Sequence, residues 1–140
     1  MKSYIFALGS LILLLGGCSY KEPHTTKSAT IVFKTPSLKF YDKGFIERYD
    51  HKIKLTVLNL GVVVTDMEIY QNKVCKNFAV CFDSATFNDK FLDKSYDNDF
   101  LYNLFTQENI YFKDKEHGVL IKVIYDQNET DDHNETQISK

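Results

Sequence analysis

The sequence predicts an α+β domain: an antiparallel β-meander with two short helices packed on it and a C-terminal β-hairpin. Three observations predict it. Over Lys52 to Asn59, Ile53, Leu55 and Val57 alternate with Lys52, Lys54 and Thr56, the period-two pattern of a strand with one buried face. Short β-branched and aromatic runs recur between turn residues along the first half of the chain. After Phe82 the period changes, and apolar residues fall into helical stripes.

The elements follow in order. Ala29 to Lys34 (ATIVFK) and Ser37 to Tyr41 (SLKFY) read as strands divided at Thr35-Pro36, because proline cannot donate to a central ladder. Asp42-Lys43-Gly44 reads as a turn, with glycine free to adopt positive φ. Phe45 to Tyr49, Lys52 to Asn59 and Val62 to Tyr70 continue the meander, with hairpin-type turns at Asn59-Leu60-Gly61 and Gln71-Asn72-Lys73. Val74 to Phe82 holds one more short strand. A first helix opens at Ser84, its expected N-cap, with Phe87, Phe91 and Leu92 on one face. A second runs from Asp97 to Phe105, capped by Asp97 or Asn98, with Phe100, Leu101, Leu104 and Phe105 as its apolar stripe. Asn109 to Phe112 and Gly118 to Tyr125 close the domain as a hairpin.

The ends read differently. Met1 to Gly17 has an early cation at Lys2, an apolar run from Ile5 to Leu15 and two glycines before Cys18. A charged start, a short apolar stretch and small residues at the cleavage point make a secretory signal. The apolar stretch is too short to cross a bilayer core, which needs about 20 residues. Leu15-Gly16-Gly17-Cys18 resembles the lipobox of bacterial lipoproteins, which implies acylation of Cys18 and its exposure as the new N-terminus. Cys18 to Ser28 is expected as a flexible tether, Ala29 to Asp126 as one β-rich domain and Gln127 to Lys140 as a disordered polar tail. Ser19, where enteric lipoproteins retained in the inner membrane carry aspartate, leans the address towards an outer membrane, facing the periplasm.

The net charge is -2, with lysines interleaved among acids along the chain, which makes no case for nucleic acid as a partner. Of the three cysteines, Cys18 is reserved for lipid, which leaves Cys75 and Cys81 as the expected disulfide in an oxidising compartment. Their spacing is not C-x-x-C and no histidine is near, so a redox pair or metal clip is the weaker reading. The four histidines stand far apart and read as surface residues. No metal, no cofactor and no catalytic constellation is expected: there is no nucleophile elbow and no phosphate loop, and Asp97-Asn98-Asp99 lacks the glycine and distal glutamate of a calcium loop. The tail carries two acceptor patterns, Asp126 to Thr130 and Asp132 to Thr136, each with an acid two residues before asparagine and threonine two after. They mark Asn128 and Asn134 as N-glycosylation sites.

The runs ATIVFKTPSLKFYDKGFI and VCKNFAVCFDSATFNDKFL, together with the lipobox and the acceptor pattern, resemble a small group of Campylobacter–Helicobacter lipoproteins. The shared features are a Phe-Lys-Thr-Pro start, a Gly-Phe-Ile strand, the cysteine pair and a Phe-Asn-x-Lys-Phe-Leu helix. The resemblance covers Ala29 to Tyr125 and implies an address more than an activity. The expected function is that of a lipid-anchored envelope protein without catalysis that binds an envelope protein or an apolar ligand, by analogy with LolB-like receptors for lipoprotein delivery. On that reading Phe87, Phe91, Phe100 and Phe105 line a ligand cavity. The alternative is a structural or interaction subunit of an envelope assembly, in which the same rings fill a closed core.

Overall fold

The computed structural model describes residues 21–77 and 79–127. Eight strands form one antiparallel sheet: β1 (Thr25–Lys34), β2 (Lys39–Arg48), β3 (Lys52–Asn59), β4 (Val62–Tyr70), β5 (Lys73–Lys76), β6 (Val80–Asp83), β7 (Tyr111–Asp114) and β8 (Val119–Tyr125). Two short helices, α1 (Ser84–Phe91) and α2 (Phe100–Thr106), lie between β6 and β7. The spatial order is β6-β5-β4-β3-β2-β1-β8-β7. A six-strand meander thus runs from β1 to the β6 edge. The chain then crosses the sheet through the two helices and re-enters at the opposite edge as the β7–β8 hairpin, beside β1. That crossing is why the helices cover the apolar face. The predicted α+β meander with a closing hairpin is the architecture observed.

One sheet face and the helices share a single core. Ile31, Phe33, Ile46, Leu55, Met67, Ile69 and Ile121 point inward from the sheet and meet Phe87, Leu101, Leu104 and Phe105 from the helices. The alternation read in β3 holds: Ile53, Leu55 and Val57 are buried, and the residues between them are not. The buried face is also what fixes register, since a slip by one residue would turn every core side chain to solvent.

Several local expectations are corrected. The sheet starts at Thr25, inside the stretch expected as tether, because Thr25 to Ser28 pair with Phe45 to Arg48. Asp42-Lys43-Gly44 is not a turn. It lies in the middle of β2, where Gly44 faces Ala29 on one side and Val57 on the other. Glycine is needed there for close approach rather than for a bend. Val74 to Phe82 forms a hairpin of two strands, β5 and β6, not one strand. Asp83 rather than Ser84 caps α1, accepting from the Thr86 backbone N–H at 2.9 Å and from its hydroxyl at 2.6 Å, while Ser84 is buried. Asp99 occupies the cap position of α2, without a side-chain capping bond, in place of Asp97 or Asn98.

Candidate functional site

The site grows from a mismatch between two hairpins. β2 pairs with β1 along its whole length, but its pairing with β3 begins only at Lys43 opposite Leu58. Residues Lys39 to Asp42 therefore have no ladder partner on the β3 side. On that side, a bulge at Val57/Leu58 shifts the register of β3 against β4, and beyond Leu58 the tip pairs only with itself. The gap between the two hairpin ends is a cleft of about 570 Å³ lined by Leu38, Phe40, Tyr41, Asp42, Asn59 and Val64, among others. Phe40 is held in place by stacking on the buried Phe33 at 5.2 Å between ring centres. The Asn59 amide donates to the Asp42 carboxylate at 3.2 Å and joins the two walls.

Beside this cleft stands an apolar tip. Leu60 and Gly61 take φ of 50° and 81° in the two-residue turn, and Leu60 is 99% exposed. Such a turn favours Asn-Gly, because positive φ is strained for a residue with a branched side chain. Val62, Val63 and Val64 follow, all exposed. A fully exposed leucine in strained backbone, next to three exposed valines and this cleft, is the concentration of apolar surface that marks a contact site. Sequence reasoning missed it, although one signal was available. Three consecutive valines cannot all face the core of a strand with period-two burial, so some had to face solvent.

The four phenylalanines expected to line a cavity do not form one lining: Phe87 and Phe91 meet, and Phe100 stands in a separate cluster. Phe87 and Phe105 are fully buried. Phe91 packs on Phe87 at 4.9 Å and on Phe82 at 5.5 Å between ring centres. Phe100 belongs to a separate cluster, against Tyr96 and Phe112, each at 4.7 Å. Only Phe100 of the four lines a described cleft, one of about 280 Å³ at the side of α2.

Cys75 and Cys81 face each other across the β5–β6 hairpin and are bonded, Cα to Cα 3.9 Å, as the cysteine count predicted. Cys18, Asn128 and Asn134 lie outside the described residues. Among the described residues no group of three His, Cys, Asp or Glu could hold a metal ion, and no helix is long and apolar enough to cross a membrane.

His117 is more than a surface residue. Its Nδ1 lies 2.7 Å from the Asp114 carboxylate, which also accepts from the Tyr96 hydroxyl at 2.7 Å and from the backbone N–H groups of Glu116 and His117. These bonds hold Asp114 well below the usual carboxylate range, the one from His117 contributing most, and they raise His117 in turn. Burial first, and then its bond to Asp114, raises Tyr96. The cluster fastens the loop between the helices to the β7–β8 turn.

Compared with family models, with curated proteins and with solved structures, the chain matches none.

Proposed function

We propose that this chain is a lipid-anchored cell-envelope protein, held through acylated Cys18 on an outer membrane and facing the periplasm, that binds a partner or an apolar ligand without catalysing a reaction. The observation that carries the binding half is the cleft between the β1–β2 and β3–β4 hairpin ends, with the apolar tip Leu60 to Val64 beside it. The lipobox ending at Cys18 carries the anchoring half. A lipoprotein-handling role of LolB type places its ligand in this rim cleft, since the space between sheet and helices is filled by Phe87 and Phe105. An extended segment or an acyl chain suits the cleft: Phe40, Leu38 and Val64 offer apolar contact, and the unladdered edge of β2 offers backbone groups. The second reading, an interaction subunit, is favoured by the tip itself, which protrudes as a hairpin end and suits a protein partner.

Mass spectrometry of the mature protein, extracted in detergent from bacterial membranes beside a Cys18→Ala version, tests the proposal. The expected result is acyl mass on Cys18, absent from the variant, with co-purifying lipid. Acylated protein without lipid favours the interaction subunit. Mature protein without acyl mass overturns the anchor. The same spectra read glycan on Asn128 and Asn134.

A further inference from the structure

The outward face of the sheet divides into two electrostatic halves. Cross-strand partners share a face, so the register can be read as rows. One row runs Lys113, Leu120, Lys34, Lys39 across β7, β8, β1 and β2. The next runs Tyr111, Lys122, Val32, Tyr41 across the same strands. A third begins Ile124, Thr30, Lys43 and passes to Leu58 and Val63 at the base of the apolar tip. All five lysines are exposed, as are Tyr41, Tyr111 and Ile124. Lys43 is paired with Asp126, but among the described residues no ion pair neutralises Lys34, Lys39, Lys113 or Lys122. At the β3–β4 half of the face the lysines are matched instead: Lys52 with Glu68, and Lys54 with Glu47 and Asp66.

We propose that the half-face bearing Lys34, Lys39, Lys113 and Lys122 between exposed Tyr41 and Tyr111 docks on an anionic phospholipid bilayer. The inference rests on the lipid-anchor reading for its geometry. Thr25 lies seven residues after Cys18, a span of at most about 25 Å, so an anchored domain stays within one molecular length of the lipid. Charge complementarity selects the face that turns down: lysine ammonium groups meet phosphates, and their stems lie along apolar surface. Tyrosine and aliphatic side chains between them sit at the boundary of headgroups and acyl chains. A water-soluble polyanion would use the lysines but leave Ile124, Tyr41 and Tyr111 without a role. Tyr41 also lines the rim cleft, so docking on this face brings the cleft mouth to the bilayer.

The chain has no tryptophan, so Tyr41→Trp places a single indole reporter on the face, and Asn103→Trp places one on the exposed side of α2. Each mature lipoprotein is added to vesicles of phosphatidylcholine alone, or of equal parts phosphatidylcholine and phosphatidylglycerol, with brominated lipid as quencher. The expected result is a blue shift and quenching of the face reporter only with phosphatidylglycerol, weakened in high salt, while the helix reporter stays unquenched. Converting Lys34, Lys39, Lys113 and Lys122 to Gln in the Tyr41→Trp protein should return its emission to the phosphatidylcholine level; these exposed side chains hold no described ion pair that folding would lose. Protein that floats with both vesicles while the face reporter stays unquenched, or is quenched equally in both, overturns the proposal. So does an emission shift with soluble polyphosphate but not with vesicles. Failure of the anchor reading shows separately, as protein that stays off phosphatidylcholine vesicles. Capture by the anionic vesicles with quenching of the face reporter then still supports the face, and no capture overturns it.

Discussion

Gly44 has no room for a side chain: a Cβ built on it would lie 2.1 Å from the carbonyl oxygen of Thr56 on the neighbouring strand and 3.1 Å from the Ile31 Cδ1. The nearer neighbour is backbone and cannot rotate away. Gly44→Ala is therefore expected to destabilise the fold by about 2–3 kcal/mol, the upper part of the core-overpacking range, as a lowered urea midpoint. An unchanged midpoint would show that the β2–β3 pairing gives way more easily than its geometry implies.

Leu60 is strained and exposed at once. Leu60→Asn keeps the positive φ that asparagine tolerates and should stabilise the domain by about 1 kcal/mol. If the tip is a contact surface, the same variant loses partner or ligand. A variant that is more stable and still binds would remove Leu60 from the site.

Arg48 closes the C-terminal end of α2. One guanidinium nitrogen donates to the Phe105 carbonyl at 3.1 Å, to the Gln107 carbonyl at 2.8 Å and to the Tyr125 hydroxyl at 3.2 Å. It thereby satisfies helix-end carbonyls and ties β2, α2 and β8 together. Arg48→Ala should lower stability by about 2 kcal/mol in equilibrium unfolding. Arg48→Lys should recover only part, because the lysine side chain is one atom shorter and its ammonium stops short of the position from which that nitrogen meets all three acceptors.

His117 and Asp114 predict a pH window. The His117 value is raised above its ordinary 6.5 by the bond to Asp114, so its contribution is complete below that pH and is lost as pH rises through the raised value. The Asp114 value is lowered from 3.8, so its contribution is complete above that pH and is lost as pH falls through the lowered value. The gap in melting temperature between the native protein and His117→Gln should be widest between about pH 4 and pH 6.5 and should shrink above it. An NMR titration of His117 with its midpoint at or below 6.5 would contradict the arrangement.

The Cys75–Cys81 bridge spans a sequence separation of 6, so in the chain-entropy account it contributes only about 2 kcal/mol. Cys75→Ala/Cys81→Ala should leave the domain folded and loosen the β5–β6 edge first. Faster amide hydrogen exchange at Val74 and Phe82, with the β1–β8 pairing unchanged, is the expected readout.

By itself the sequence determined what depends on neighbours along the chain. Alternation gave the buried face of β3, the change of period after Phe82 gave two helices and their core residues, and the cysteine count gave the bridge. It misjudged Asp42-Lys43-Gly44, whose turn composition is overridden because β1 and β3 both press against Gly44. It also left Phe87, Phe91, Phe100 and Phe105 as one candidate lining, since a helical stripe reads the same whether it faces a cavity or fills a core. Tertiary structure alone decided that β8 lies beside β1, at the far edge of the meander. The lysines at 34, 39, 113 and 122 look dispersed among acids in the chain, and they share a face only because the helices carry the C-terminal hairpin across the sheet to β1. The cleft beside Leu60 exists for a similar reason, as the gap left where two hairpins stop pairing. Pairing between distant segments leaves no local periodicity, and both surfaces are products of that pairing.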